Sequence, residues 1–185
     1  MTIGNFCGSY FLALQDIIGR RSVNFIGNVL VIVAGLMQGL STNLSIFMAG
    51  RFLLGFGSGM MSSSQYMAEI SPVHWRGRMV GIFGACFQVG SVVFLGVMFK
   101  FNELNNNWSW RIPLLLECLF PTIVCSLLYW WCPESPRYLI MKNKYEKAKR
   151  IIAKVMTNSG NVNEPLVGVM VAQIEESLEA EKADR

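Results

Sequence analysis

Apolar residues run along this chain in long blocks separated by short polar connectors. Blocks at 23–40, 44–67, 79–99 and 112–131 each reach the roughly 20 apolar residues with which a helix crosses a bilayer. Residues 1–14 are apolar as well, but too few to span, and read as the second half of a helix. After residue 132 the pattern changes. In "NKYEKAKRIIAKVM" the side chains of Tyr145, Ala148, Ile151, Ile152 and Val155 share one helical face, the period of an amphipathic surface helix. The segment "NSGNVNEP" interrupts it, and 166–183 reads as a second helix, acidic toward its end. The pattern predicts an all-α membrane protein with a transmembrane region over 1–132 and a cytoplasmic helical region over 133–185.

The connectors orient the spans. Arg20 and Arg21 follow the first apolar stretch, Arg76 and Arg78 follow the third, and Arg137, Lys142, Lys144, Lys147, Lys149, Arg150 and Lys154 crowd the tail. The connector at 41–45 has no charge and that at 100–111 is mixed. Positive connectors are retained on the cytoplasmic side, which puts 16–21, 69–78 and the tail there. The two N-x-S sequons, at Asn43 and Asn107, then face outward, close enough to the bilayer that glycosylation is not expected.

Composition agrees with the pattern. Hydrophobic residues make up 52%, charged residues 15%, and the net charge is +4; soluble domains are nearer a quarter charged. No basic stripe interleaved with aromatics suggests a nucleic acid. The five cysteines, Cys7, Cys86, Cys118, Cys125 and Cys132, lie in or at the end of apolar runs without metal spacing and read as small buried hydrophobes. No secretory signal is evident. The one histidine, His74, sits in a connector beside Trp75. Without a nucleophile–base set or metal ligands, an enzyme is not expected. Trp108, Trp110, Trp130 and Trp131 fall at span ends, as in an aromatic belt.

Two stretches carry more specific chemistry. "GRFLLGFGSG" places Gly55, Gly57 and Gly59 within a span, a small-residue face on which helices pack closely; with no Gly-Lys-Ser/Thr it is not a phosphate loop. Arg51, at the outer end of that span, either snorkels outward or faces the bundle interior as an ion partner. "YMAEISPVHWRGR" gathers Glu69, Pro72, His74, Arg76 and Arg78 between two apolar runs.

Taken in order, "DIIGRR", "GRFLLGFGSG", "YMAEISPVHWRGR", "WRIP" and "PESPRYL" resemble the sugar porters of the major facilitator superfamily, most of all the fungal lactose- and hexose-permease branch. The resemblance covers nearly the whole chain. It implies a twelve-helix carrier with two six-helix halves and alternating access around a central site, and no cofactor. This chain corresponds to the stretch from late in the second helix through the sixth, followed by cytoplasmic helices of the central loop. By the same resemblance, Asp16, Gly19, Arg20 and Arg21 belong to the loop between the second and third helices. Glu69, Arg76, Gly77, Glu134 and Arg137 belong to a cytoplasmic charge network that closes the inner gate. Arg51 corresponds to the fourth-helix arginine that pairs, in proton-coupled members, with a first-helix aspartate. Implied partners are the lipid bilayer, a sugar, protons and the second half of the carrier. The expected location is multi-pass in the plasma membrane.

The chain departs from the family pattern at several positions. Leu12 stands where a glycine is usual, Ile17 where a basic residue is, and Ser64 where a proline is. The Arg51–Glu69 interval is about two residues short, a change that turns a helix face by about 200°. Gly84 occupies the usual sugar-binding Gln or Asn position. Gln88, a helical turn further on, either substitutes or bonds a neighbouring helix. Glu117 stands where fungal members carry Gln; binding a proton, binding a sugar hydroxyl and relaxed constraint all remain open. The function expected is transport of a mono- or disaccharide. The alternatives are transport of a polyol or quinate-type solute, and a transport-incompetent remnant or sensor-like membrane protein.

Overall fold

A computed structural model describes residues 1–61, 63–72, 74–103, 108–156, 162 and 164–183. They fold into helices, and no strand occurs among them. The N-terminal apolar stretch is α1 (Thr2–Ser9), a 3-10 segment (Tyr10–Leu14) and α2 (Gln15–Ile18). This helical run therefore extends past the expected 1–14 and carries Asp16 on its last turn. Gly19 ends it with φ 105° and ψ 147°, a conformation that disfavours any side chain, and α3 (Arg20–Gly39) begins at the next residue.

The block expected to span 44–67 without interruption is two helices, α4 (Leu44–Met60) and α5 (Ser63–Ile70). Met61 is extended, with ψ 131°, so the break falls where the sequence lacks both the usual spacing and the usual proline. Next comes α6 (Arg76–Phe101). The last span divides as well, into α7 (Trp108–Glu117) and α8 (Leu119–Trp130), with Pro113 inside the first. Among the described residues four stretches are long and apolar enough to cross a membrane: Arg20–Gly39, Leu44–Ile70, Arg76–Phe101 and Trp108–Leu127. Beyond them lie α9 (Pro136–Met141), α10 (Tyr145–Met156) and α11 (Pro165–Ala183). The sequon residue Asn107 and most of "NSGNVNEP" lie outside the described residues.

The chain forms two compact units, Met1–Ser62 with Ile82–Cys132, and Ser63–Gly81 with Pro133–Arg185. In the first, close helix packing rests on glycine. A Cβ on Gly4 or Gly8 of α1 would sit 2.2 or 2.3 Å from the carbonyl oxygens of Phe52 and Phe56 in α4. A Cβ on Gly55 or Gly59 of α4 would meet the carbonyl oxygens of Met1 and Asn5 just as closely. Glycines spaced four apart on both helices thus bring two backbones together, the way membrane helices gain contact where lipid offers no hydrophobic drive. Helix α3 packs on α4 and on α7 and α8. Gly35 makes room for Cys118 Sγ and Gly39 for Leu115. Polar side chains on α3 bond within the helix: Asn28 Nδ2 donates to the Asn24 carbonyl at 2.8 Å, and Gln38 Nε2 to that of Ala34 at 3.2 Å. Helix α6 contrasts with its neighbours: none of its residues is buried.

The second unit has a core of its own, made of Leu139, Ile140, Ala148, Ile152, Ala153, Val167, Val171 and Leu178. Ala148 and Ile152 come from the apolar face read in the sequence, and Ala153 joins them from its edge. Burying a side chain such as Ile152 contributes about 1.5–3 kcal/mol. The turn from α9 to α10 closes on Asn143, whose φ of 58° is left-handed, a conformation Asn accepts more readily than most residues. Its amide donates to the Ile140 carbonyl at 2.9 Å, and the Lys144 amide to that of Leu139 at 2.8 Å.

Candidate functional site

Three clusters gather the polar residues of interest. The first surrounds Gly19, in the first unit. The Asp16 carboxylate and the Arg20 guanidinium lie 3.4 Å apart across the turn from α2 to α3, with the Arg20 side chain 8% exposed. Gly19 turns the chain between them, and Arg21 is half-buried. A buried guanidinium needs a compensating charge, and Asp16 supplies one.

The second cluster belongs to the second unit and joins α5 to the segment before α9. Ser135 Oγ donates to the Glu69 carboxylate at 2.5 Å, and the Tyr66 hydroxyl to the Pro133 carbonyl at 2.5 Å. The Ser135 amide reaches Glu134 Oε1 at 3.3 Å. Ser135 is fully buried. It holds the N-cap position of α9, with Pro136 opening the helix, the arrangement Pro favours. Its hydroxyl makes no cap hydrogen bond and serves Glu69 instead. Glu134 and Arg137 flank it, both half-buried. Arg76 and Gly77 open α6 and are exposed. Among the described residues Arg76 forms no ion pair, while Arg78 stacks over Trp75 at 5.0 Å.

The third cluster lies within the spans of the first unit. Arg51 of α4 rests over the Phe47 ring at 5.3 Å, and Phe47 meets Trp110 edge-on at 6.2 Å. Arg111 lies over the Trp110 ring at 5.2 Å and donates to the Ser41 carbonyl at 3.0 Å. Two stacked cations flanking a pair of rings therefore tie the ends of α4 and α7 together. Glu117, half-buried on α7, is within electrostatic range of Arg51, and the two form no direct ion pair among the described residues. Gln88 is exposed on α6 and is not brought to either of them.

Three contributors escaped the sequence reading. The Gly4/Gly8 pair could have been found by its spacing of four. Ser135 stood within a quoted motif, and only its charged neighbours were singled out. Tyr66 stood near the end of the 44–67 block without an assigned partner.

A family model described as "Sugar (and other) transporter" matches residues 1–184. The chain belongs to the sugar (and other) transporter family. The MFS-type transporter criB of Aspergillus cristatus is 30% identical over 99% of this chain and 40% of its own length. The low-affinity glucose transporter HXT4 of Saccharomyces cerevisiae is 31% identical over 98% of this chain and 32% of its own length. Myo-inositol transporter 1 of Candida albicans is 27% identical over 77% and 26%. Among solved structures, the proton:xylose symporter XylE bound to 6-bromo-6-deoxy-D-glucose superposes with a TM-score of 0.84 at 26% identity, over 97% of this chain and 42% of XylE. The inward-open XylE structure from E. coli superposes at 0.82.

These matches bear out the resemblance to the major facilitator sugar porters and the all-α partial fold. This member of the sugar transporter family is an integral membrane protein, and its relatives are transporters, not enzymes. It spans less than half the length of the relatives it matches.

Proposed function

We propose that this chain supplies part of a carrier that moves a sugar or related polyol across the plasma membrane by alternating access. The observation that carries the reading is the Arg51–Glu117 arrangement, a cation and a carboxylate in electrostatic range on two membrane-spanning helices of a chain whose relatives are named for glucose, myo-inositol and xylose. Charges in spans are costly and are kept for function. In this reading Glu117 takes up a proton or a sugar hydroxyl, and Arg51 is the cation it faces. Gln88 joins the site once further helices pack against α6.

The charges at Asp16, Arg20, Arg21, Glu69, Arg76, Glu134 and Arg137 then act as the inner gate. A set of such charges, most of them buried or half-buried, biases a two-state rocking equilibrium. Residues 133–185 form the cytoplasmic part. The passage also needs walls from beyond this chain, so the chain expressed by itself is expected to take up no sugar.

The test is a graft. Residues 1–185 replace the matched segment of the S. cerevisiae glucose transporter in yeast lacking hexose uptake, and labelled glucose and myo-inositol are offered. Uptake that needs Glu117 supports the reading. A graft that reaches the membrane and carries neither solute favours the transport-incompetent alternative.

A further inference from the structure

We infer that the outer face of α10 is a docking surface for anionic lipid headgroups of the cytoplasmic leaflet. Ala148, Ile152 and Ala153 turn one side of this helix into the core of the second unit. Lys147, Arg150 and Lys154, spaced three and four apart, therefore share the opposite side, and all three are exposed. Lys142 and Lys144, in the turn just before the helix, are exposed too. Among the described residues no carboxylate is within ion-pair distance of these five cations. The one acid on α10, Glu146, is used by Lys149 at 3.8 Å. Glu69 and Glu134 lie in the cluster described above, and Glu175, Glu176 and Glu179 lie on α11, where Glu175 is bonded to Tyr145.

Helix energetics do not require this arrangement. A cation in the last turn complements the helix dipole, which accounts for Lys154 and leaves Lys147 and Arg150 unexplained. A solvated helix gains more from acids spaced four from its bases; Glu146 stands so before Arg150 but is paired with Lys149, and Lys147 and Lys154 have no acid at that spacing. What does suit it is a plane of negative charge. Clusters of four to eight basic residues beside a membrane span favour anionic lipid, each cation within a Debye length adding about fivefold to the affinity. The span-forming stretch ends near Trp131, and α10 starts at Tyr145. The stripe therefore belongs to the stretch of chain that follows on a span. Positive-inside orientation assigns it to the cytoplasmic leaflet, where acidic lipids collect.

The proposal stands apart from transport, because its readout involves no solute. The full chain is placed in nanodiscs of phosphatidylcholine alone or with 30% phosphatidylserine, a composition chosen near the anionic content of such leaflets. Amide exchange is followed over residues 145–156, with 165–183 as the internal reference. Exchange over α10 should slow at least threefold in the anionic discs and return to the neutral-disc rate in 0.5 M NaCl, where screening is nearly complete. The triple variant Lys147→Gln, Arg150→Gln, Lys154→Gln should lose the effect, whereas the triple variant Lys147→Arg, Arg150→Lys, Lys154→Arg should keep it. Equal exchange in both disc types, or protection indifferent to salt, overturns the proposal and leaves an acidic protein partner as the occupant to seek. Should the glutamine variant unfold, seen as faster exchange over 165–183, the wild-type response to lipid and salt still decides.

Discussion

The buried hydroxyl of Ser135 donates to the carboxylate of Glu69, across 66 positions of sequence. The bond ties the end of α5 to the N-terminus of α9, and Tyr66 makes a parallel tie to the Pro133 carbonyl. Both fix the end of α5 against the segment that carries Glu134 and Arg137.

Ser135→Ala should weaken the second unit. A hydrogen bond to a charged acceptor contributes about 1.5–3 kcal/mol, and alanine leaves the Glu69 carboxylate short of a donor. Glu69→Gln keeps an acceptor and should cost less than Ser135→Ala. Exchange of the α9 amides in the purified chain, compared among the three proteins, reports the ranking. Equal protection in all three would show that the bond does not stabilise the unit.

Glycine substitutions should divide into two classes. At Gly8 an added Cβ would press on the Phe56 carbonyl at 2.3 Å, whereas at Gly84 it meets nothing within 4 Å. Gly8→Val should cost about 3 kcal/mol or more through overpacking and should lower the thermal midpoint in detergent. Gly84→Ala should leave that midpoint unchanged or raise it slightly, since alanine favours a helix. The same midpoint for both variants would contradict the close approach of α1 and α4.

Tyr145 supplies a pH test in the second unit. Its phenol is held above the usual value near 10 by its hydrogen bond to Glu175, with lesser contributions from burial and from the charges of Glu175 and Glu179. The folded form therefore keeps the proton more tightly than the unfolded chain. The stabilisation is fully present below the unfolded pKa and is lost as pH rises through the folded one. The absorbance change of Tyr145 should come at higher pH in the folded chain than in denaturant. Tyr145→Phe should flatten the alkaline fall in stability, and an unaltered fall would rule out the link.

In the grafted carrier, Glu117→Gln and Arg51→Gln should each reduce uptake, and the double variant should lose less than the two separate losses combined. Groups in electrostatic range show coupling of about 1 kcal/mol, and uptake rates of the four proteins measure it. Strict additivity would mean the two act independently.

Local features were the most legible ones in the sequence. Gly19 marked the turn between α2 and α3 because few residues other than glycine accept its backbone angles, and a period of 3.6 revealed the buried side of α10. Span positions followed from length and hydropathy alone. The break at Met61 was less visible, because apolar composition continues through it and only the short spacing hinted at a change. The Ser135–Glu69 bond and the contact of α1 with α4 were not legible. Each pairs residues far apart in the chain, and a single sequence records which residues can bond without recording which ones meet. Arg51 and Glu117 were each suspected alone, and their nearness became apparent only in three dimensions.

Helix α6 has a consequence for how long this chain would last in a cell. Gly77, Gly81, Gly84, Gln88 and Ser91 recur at alternating intervals of four and three, the repeat of a helix built to lie along another, yet nothing is buried on it. In a bilayer that seam would turn Gln88 toward lipid, which cannot satisfy its amide, whereas the Ser91 hydroxyl donates to the Phe87 carbonyl at 3.0 Å. Membrane quality control acts on unassembled spans of this kind, so the chain made alone should be cleared quickly. Its half-life should lengthen when the helices that cover α6 are supplied as a separate polypeptide, which makes pulse-chase turnover a direct way to find them.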